Sequence, residues 1–102
     1  KLELYPRHLL PDSEGDVTTF IRKGLSKRKD LRLKVETFLD HIKNTNSLDF
    51  FERSEQISNL SGGLYEMRIP KQDRKGVVRI YFCYHPGTEN ALILLCAELK
   101  HK

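Results

Sequence analysis

A chain of 102 residues, 38% hydrophobic and 31% charged, has the length of one domain, so residues 1–102 are read as a single unit. It can bury a modest core without metals or disulfides, and it is too apolar to stay unfolded. Its longest apolar run, residues 91–97, is too short to cross a bilayer, and the net charge of +4 decides nothing until its distribution is known.

Residues 2–5 form a short candidate strand that Pro6 ends. No signal-peptide pattern opens the chain, and Lys1 instead of methionine suggests a natural start further upstream. Residues 11–16 are turn-like and offer helix caps. Val17, Phe20, Ile21 and Leu25 then recur at helical spacing, with Gly24 weakening the end. Asp30 is placed to cap a second helix, on which Val35, Phe38, Leu39 and Ile42 make one apolar stripe before residues 44–47 stop it. Residues 48–59 are ambiguous, and Phe50, Phe51 and Ile57 are expected to plug one edge of the core. Ser61 and two glycines then break the chain.

The remainder reads as a three-stranded meander over 64–69, 77–84 and 91–99, with polar turns at 71–76 and 85–90. Helices precede antiparallel strands, so the class is α+β. The third strand is apolar on both sides, which suggests an interior place in the sheet. Cys83 and Cys96 fall in these strands and read as buried thiols of a reducing cytoplasm rather than a disulfide.

Strand side chains alternate faces. Tyr65, Met67 and Ile69, with Val78, Ile80, Phe82 and Tyr84, should face the helices. Glu66, Arg68, Arg79 and Tyr81 should then cluster on the open face. Such a cluster is either a solvated ion-pair ladder or a phosphate clamp, since arginine binds phosphate oxygens bidentately and stabilises charge that develops on them. Basic residues crowd three stretches: Arg22 to Lys34, the set Arg68, Lys71, Arg74, Lys75 and Arg79, and the end Lys100, His101 and Lys102. Such patches either solvate helix faces and turns, the reading favoured for the first, or attract nucleic-acid phosphates, the reading favoured for the second. The sequence offers no compact metal-ligand array, P-loop or dinucleotide fingerprint.

Residues 60–69, LSGGLYEMRI, resemble the L-x-G-x-L-Y-E-L-R signature of HigB-like and phage-derived RelE-type toxins. Residues 78–82, VRIYF, are similar to that family's Y-R-V-x-Y-x strand, and residues 92–95 followed by the basic 100–102 resemble its closing segment. The resemblance implies a strand and helical hairpin packed on a twisted antiparallel sheet. It also implies the toxin of a type II toxin–antitoxin system. RelE- and HigB-type members cut mRNA in the ribosomal A site by metal-independent attack of the ribose 2′-hydroxyl on the adjacent phosphate, whereas ParE-type members inhibit DNA gyrase on the same fold. Carried over by position, Arg68 and Arg79 become phosphate or transition-state contacts. Glu66 and His101 become candidates for proton transfer, with Glu55 a further carboxylate candidate. Lys71, Arg74, Lys75, Tyr81, Lys100 and Lys102 become RNA contacts. The implied partners are a cognate antitoxin, lying across the basic sheet face or the helical hairpin, and the ribosome with its mRNA. No membrane, metal or small-molecule cofactor is implied, and the implied compartment is the cytoplasm. No tyrosine follows the basic end as it does in many nuclease members, which keeps open an inactive relative that only binds antitoxin or RNA.

Overall fold

A computed structural model of the chain describes residues 1–6, 14–88 and 90–101. Strand β1 (Glu3–Pro6) comes first, then helix α1 (Asp16–Thr19), which widens into a π-type turn over Phe20–Gly24. Helices α2 (Lys29–Lys43) and α3 (Asp49–Arg53) follow, and strands β2 (Ile57–Ser61), β3 (Leu64–Ile69), β4 (Val77–Tyr84) and β5 (Ala91–Lys100) complete the fold. The class is α+β, with one five-stranded mixed sheet in the order β1-β5-β4-β3-β2. Strands β2 to β5 form an antiparallel meander, and β1 adds to β5 in parallel. Among the described residues, no helix is long and apolar enough to cross a membrane.

The apolar stripe of α2 decides the packing. Leu31, Val35, Phe38, Leu39 and Ile42 are its buried residues and recur every three or four positions, so they form one face. They join Ile57, Met67, Ile69, Val78, Ile80, Phe82, Leu92 and Leu94 in the core, with Val17 and Leu25 beside them. The other face of the sheet carries the polar cluster of β3 and β4 together with Cys83, Ile93 and Cys96. Asp30 does not cap α2 as expected. The cap position is Arg28, and Asp30 sits in the first turn, where it pairs with Arg28 at 3.1 Å and complements the helix dipole. The Arg28 guanidinium holds the Asp30 carboxyl down at about 2.

The ambiguous stretch contains α3 and β2, so the meander has four strands and not three. The glycine break is a two-residue hairpin loop between β2 and β3, with Gly62 and Gly63 both at positive φ, as the tight turn that matches strand twist requires. Ile57 is buried and Phe51 packs against the core, but Phe50 is 65% exposed. Its ring meets the edge of Phe51 instead of plugging the core.

Strand β5 is interior, as expected, and a bulge explains its two apolar faces. Tyr81 pairs with Cys96 but Phe82 pairs with Leu94, which leaves Leu95 as an extra residue. The extra residue reverses the parity of the strand. Ala97 and Leu99 share the core side with Ile80 and Val78, and beyond the bulge Leu92 and Leu94 take that side. Cys96 therefore lies on the outer face and is exposed, not buried. Cys83 is half-buried, and neither is in a disulfide.

Candidate nucleic-acid interface

Strand register builds the outer face in rows. One row runs Ser58, Glu66, Tyr81 and Cys96 across β2, β3, β4 and β5, and the next runs Arg68, Arg79 and Glu98 across β3, β4 and β5. Two arginines directly opposite each other repel. The Glu66 carboxylate offsets this. Arg68 Nε lies 3.1 Å from Glu66 Oε1, and Arg79 NH1 lies 3.7 Å from Glu66 Oε2. Glu66 is only 6% exposed, while each arginine keeps about a third of its side chain in solvent. The carboxylate is thus the floor of the cluster and the guanidinium groups are its surface.

The arginines are not saturated by this floor. The Arg68 Nε–H is not aimed along its short contact, and Nε of Arg68 and Nε of Arg79 are both buried donors without a hydrogen-bond partner. Each side chain keeps about a third of its surface in solvent while its Nε is enclosed, so an anion would meet the terminal nitrogens of the two guanidinium groups. Tyr81 donates its hydroxyl proton to Glu98 Oε2 at 2.6 Å. That bond, with desolvation and the Glu98 charge, pushes the phenol above its ordinary value, while the Arg79 guanidinium pulls the other way.

Beside the cluster is a groove of about 530 Å³ lined by Arg68, Lys71, Gln72, Asp73, Arg74, Val77, Arg79, Lys100 and His101. Five of these residues are cations and one is an anion, so the groove carries the excess positive charge that a phosphate backbone needs. Gly76, at φ +130°, precedes the lining residue Val77. That φ is closed to other side chains and a Cβ there would stand 2.9 Å from Leu99 Cδ1, so the position requires glycine, with the His101 ring in ordinary contact at 3.6 Å.

The structure thus brings Arg68, Lys71, Arg74, Arg79, Lys100 and His101 to one groove, with Glu66 beneath it. Tyr81 is adjacent but does not line it. Lys75 lies to one side, where its carbonyl accepts Arg28 NH1 at 2.8 Å. That bond and the Lys34–Asp73 pair at 3.9 Å join the basic helical hairpin to the β3–β4 turn. Lys102 lies outside the described residues, and exposed Glu55 is not among the groove residues. Glu98, opposite Arg79 and bonded to Tyr81, is the carboxylate of this face that sequence reasoning missed. Its position two residues before Lys100 on the same strand face was the available signal. Among the described residues, no group of three or more His, Cys, Asp or Glu side chains stands close enough to hold a metal.

No model of a known protein family matches the chain, and no curated protein matches it.

Proposed function

We propose that this chain is a RelE/HigB-like toxin that cleaves mRNA on the ribosome, with the basic groove as its RNA site. The observation that carries the reading is the convergence of Arg68 and Arg79, directly opposite each other, on one partly exposed face beside a groove with five cations among its lining residues. The motif of residues 60–69 and the α+β order of elements add support. In this reading the ribose 2′-hydroxyl attacks the adjacent phosphorus and loses its proton to a base. The 5′-oxygen leaves with a proton from an acid, giving a 2′,3′-cyclic phosphate and a 5′-hydroxyl end. Arg68 and Arg79 bind the phosphate oxygens and stabilise their developing charge. His101, whose ring borders the groove, moves a proton. Glu66, buried between the guanidinium groups, orients them from below. Lys71, Arg74 and Lys100 hold flanking phosphates. The partners are the ribosome with its mRNA and an antitoxin whose acidic segment covers the same basic surface.

A purified translation reaction tests this. Wild-type protein is expected to cut ribosome-bound mRNA and leave 5′-hydroxyl ends. Intact mRNA together with blocked gyrase supercoiling would select the ParE-like reading. Intact mRNA with RNA or antitoxin binding alone would select an inactive relative.

A further inference from the structure

The turn between β3 and β4, residues 70–76, carries Lys71 and Arg74 into the groove and Lys75 beside it. These cations lie close together in the chain and repel one another, which favours a spread turn. Inside the turn, Asp73 Oδ1 accepts the Lys75 N–H at 2.8 Å, and the Asp73 carbonyl accepts the Gly76 N–H at 3.2 Å. Such bonds give the turn its shape but leave its tilt against the rest of the protein open. We infer that Arg28, held by Asp30, is the positioning residue that sets this tilt and so places Lys71 and Arg74 for an RNA strand. The consequence for RNA rests on the proposed reading of the groove, but the positioning itself does not.

Arg28 is built as a strut. Its backbone is fixed: the N–H donates to the Leu25 carbonyl at 3.0 Å, and the carbonyl accepts the Arg32 N–H at 2.9 Å. Leu25 and Leu31, on either side of it, are buried in the core. Its guanidinium is fixed as well. Nε donates to Asp30 Oδ1 and NH2 to Asp30 Oδ2, each at 3.1 Å, and this two-pronged contact pins the plane of the fork. NH1 is left to donate to the Lys75 carbonyl at 2.8 Å, across 47 positions of the chain. A charge-assisted bond to a carbonyl grips the backbone of the turn and not a mobile side-chain tip. Among the described residues, the other tie between the turn and the helices is the Lys34–Asp73 pair. It joins two partly exposed side chains at 3.9 Å, beyond hydrogen-bond length, and holds little. The gripped carbonyl lies between Arg74 and Gly76, so releasing it frees the segment that carries the groove cations. Lysine could not replace this arginine, because a single ammonium nitrogen cannot form the planar fork to Asp30 and also reach Lys75.

The experiment compares Arg28→Lys, which keeps the charge, with Asp30→Ala, which removes an anion, and with the double variant. Nitrogen NMR relaxation of the backbone amides reads the turn directly. Residues 71–76 are expected to be as ordered as β4 in the wild type and to loosen in every variant, with the strands unchanged. Filter binding of a single-stranded RNA oligonucleotide, at a temperature where circular dichroism shows each variant folded, reads the placement of the cations. Affinity should fall roughly three- to tenfold in Arg28→Lys, the cost of ordering one or two long side chains at an interface. Asp30→Ala gives the sharper sign. Summed charge predicts tighter binding once an anion is lost, whereas a freed strut predicts weaker binding. The double variant should bind no more weakly than Arg28→Lys, because one strut is cut twice. If Asp30→Ala fails to fold, Arg28→Lys carries the test. Turn amides that keep their order in Arg28→Lys, or tighter binding by folded Asp30→Ala, would overturn the inference. A wild-type protein that binds no RNA while its turn still loosens in Arg28→Lys would refute the proposed function and leave the positioning supported.

Discussion

Replacing Glu66 with glutamine removes the one charge that Arg68 and Arg79 share, at nearly constant volume. At an effective dielectric of about 20, unit charges separated by 3.1–3.7 Å attract by roughly 5 kcal/mol before desolvation is counted. Most of that is cancelled. Glu66 is buried, so its desolvation is large, and both guanidinium groups keep a third of their surface in water, which screens them. A net loss of about 1–2 kcal/mol remains, made up of the lost pairings and the uncompensated repulsion of two arginines opposite each other. For a chain of this length that lowers Tm by roughly 5–15 °C, read by circular dichroism. The shift should shrink in high salt, since screening weakens the repulsion. The same substitution raises the positive charge beside the groove. RNA affinity in a filter-binding assay should therefore hold or rise while cleavage falls, because the arginines are no longer aimed. An unchanged Tm, or RNA binding that collapses with cleavage, would refute the view of Glu66 as the floor under both arginines.

Gly76→Ala should cost about 2 kcal/mol or more, because φ +130° is closed to alanine and the new Cβ would stand 2.9 Å from Leu99. Urea unfolding measures the loss, and the His101 ring signals in NMR should shift with it. Lys71→Ala and Arg74→Ala should each weaken RNA binding across all sequences and reduce the salt slope of log K by about one. Titrating binding against salt checks this, and an unchanged slope would place the RNA elsewhere. Asp30 is held at about 2, below its ordinary 3.8. Its contribution to stability is therefore present above that ordinary value and lost as pH falls through about 2. Asp30→Asn should melt below wild type at neutral pH and merge with it near pH 2, as melting curves across the acid range will show.

Alternation along β3 and β4 was enough to place Glu66, Arg68, Arg79 and Tyr81 on one face, because pairing without a bulge through residues 65–69 carries the period of two unbroken. Alternation names a face but not a depth, so the burial of Glu66 under its neighbours was not legible. Glu98 escaped notice because its partnership with Tyr81 depends on the β4–β5 register, which the extra Leu95 shifts. Helix α3 spans five residues, too few for a 3.6-residue period to emerge, and β2 is a short edge strand with a burial pattern that fades along its length. The division of Lys71, Lys75 and Arg74 between groove and flank is set by the path of a turn, which residue type alone does not encode.

The central claim is that Arg68 and Arg79 act together on one phosphate. Its most direct test is the single-turnover rate of mRNA cleavage on ribosomes loaded with wild type, Arg68→Ala, Arg79→Ala and the double variant. The account predicts that each single change lowers the rate at least about a hundredfold, the scale of a lost transition-state donor, and that the double loss is far from additive. Cleavage that persists at the wild-type rate without either arginine would contradict it.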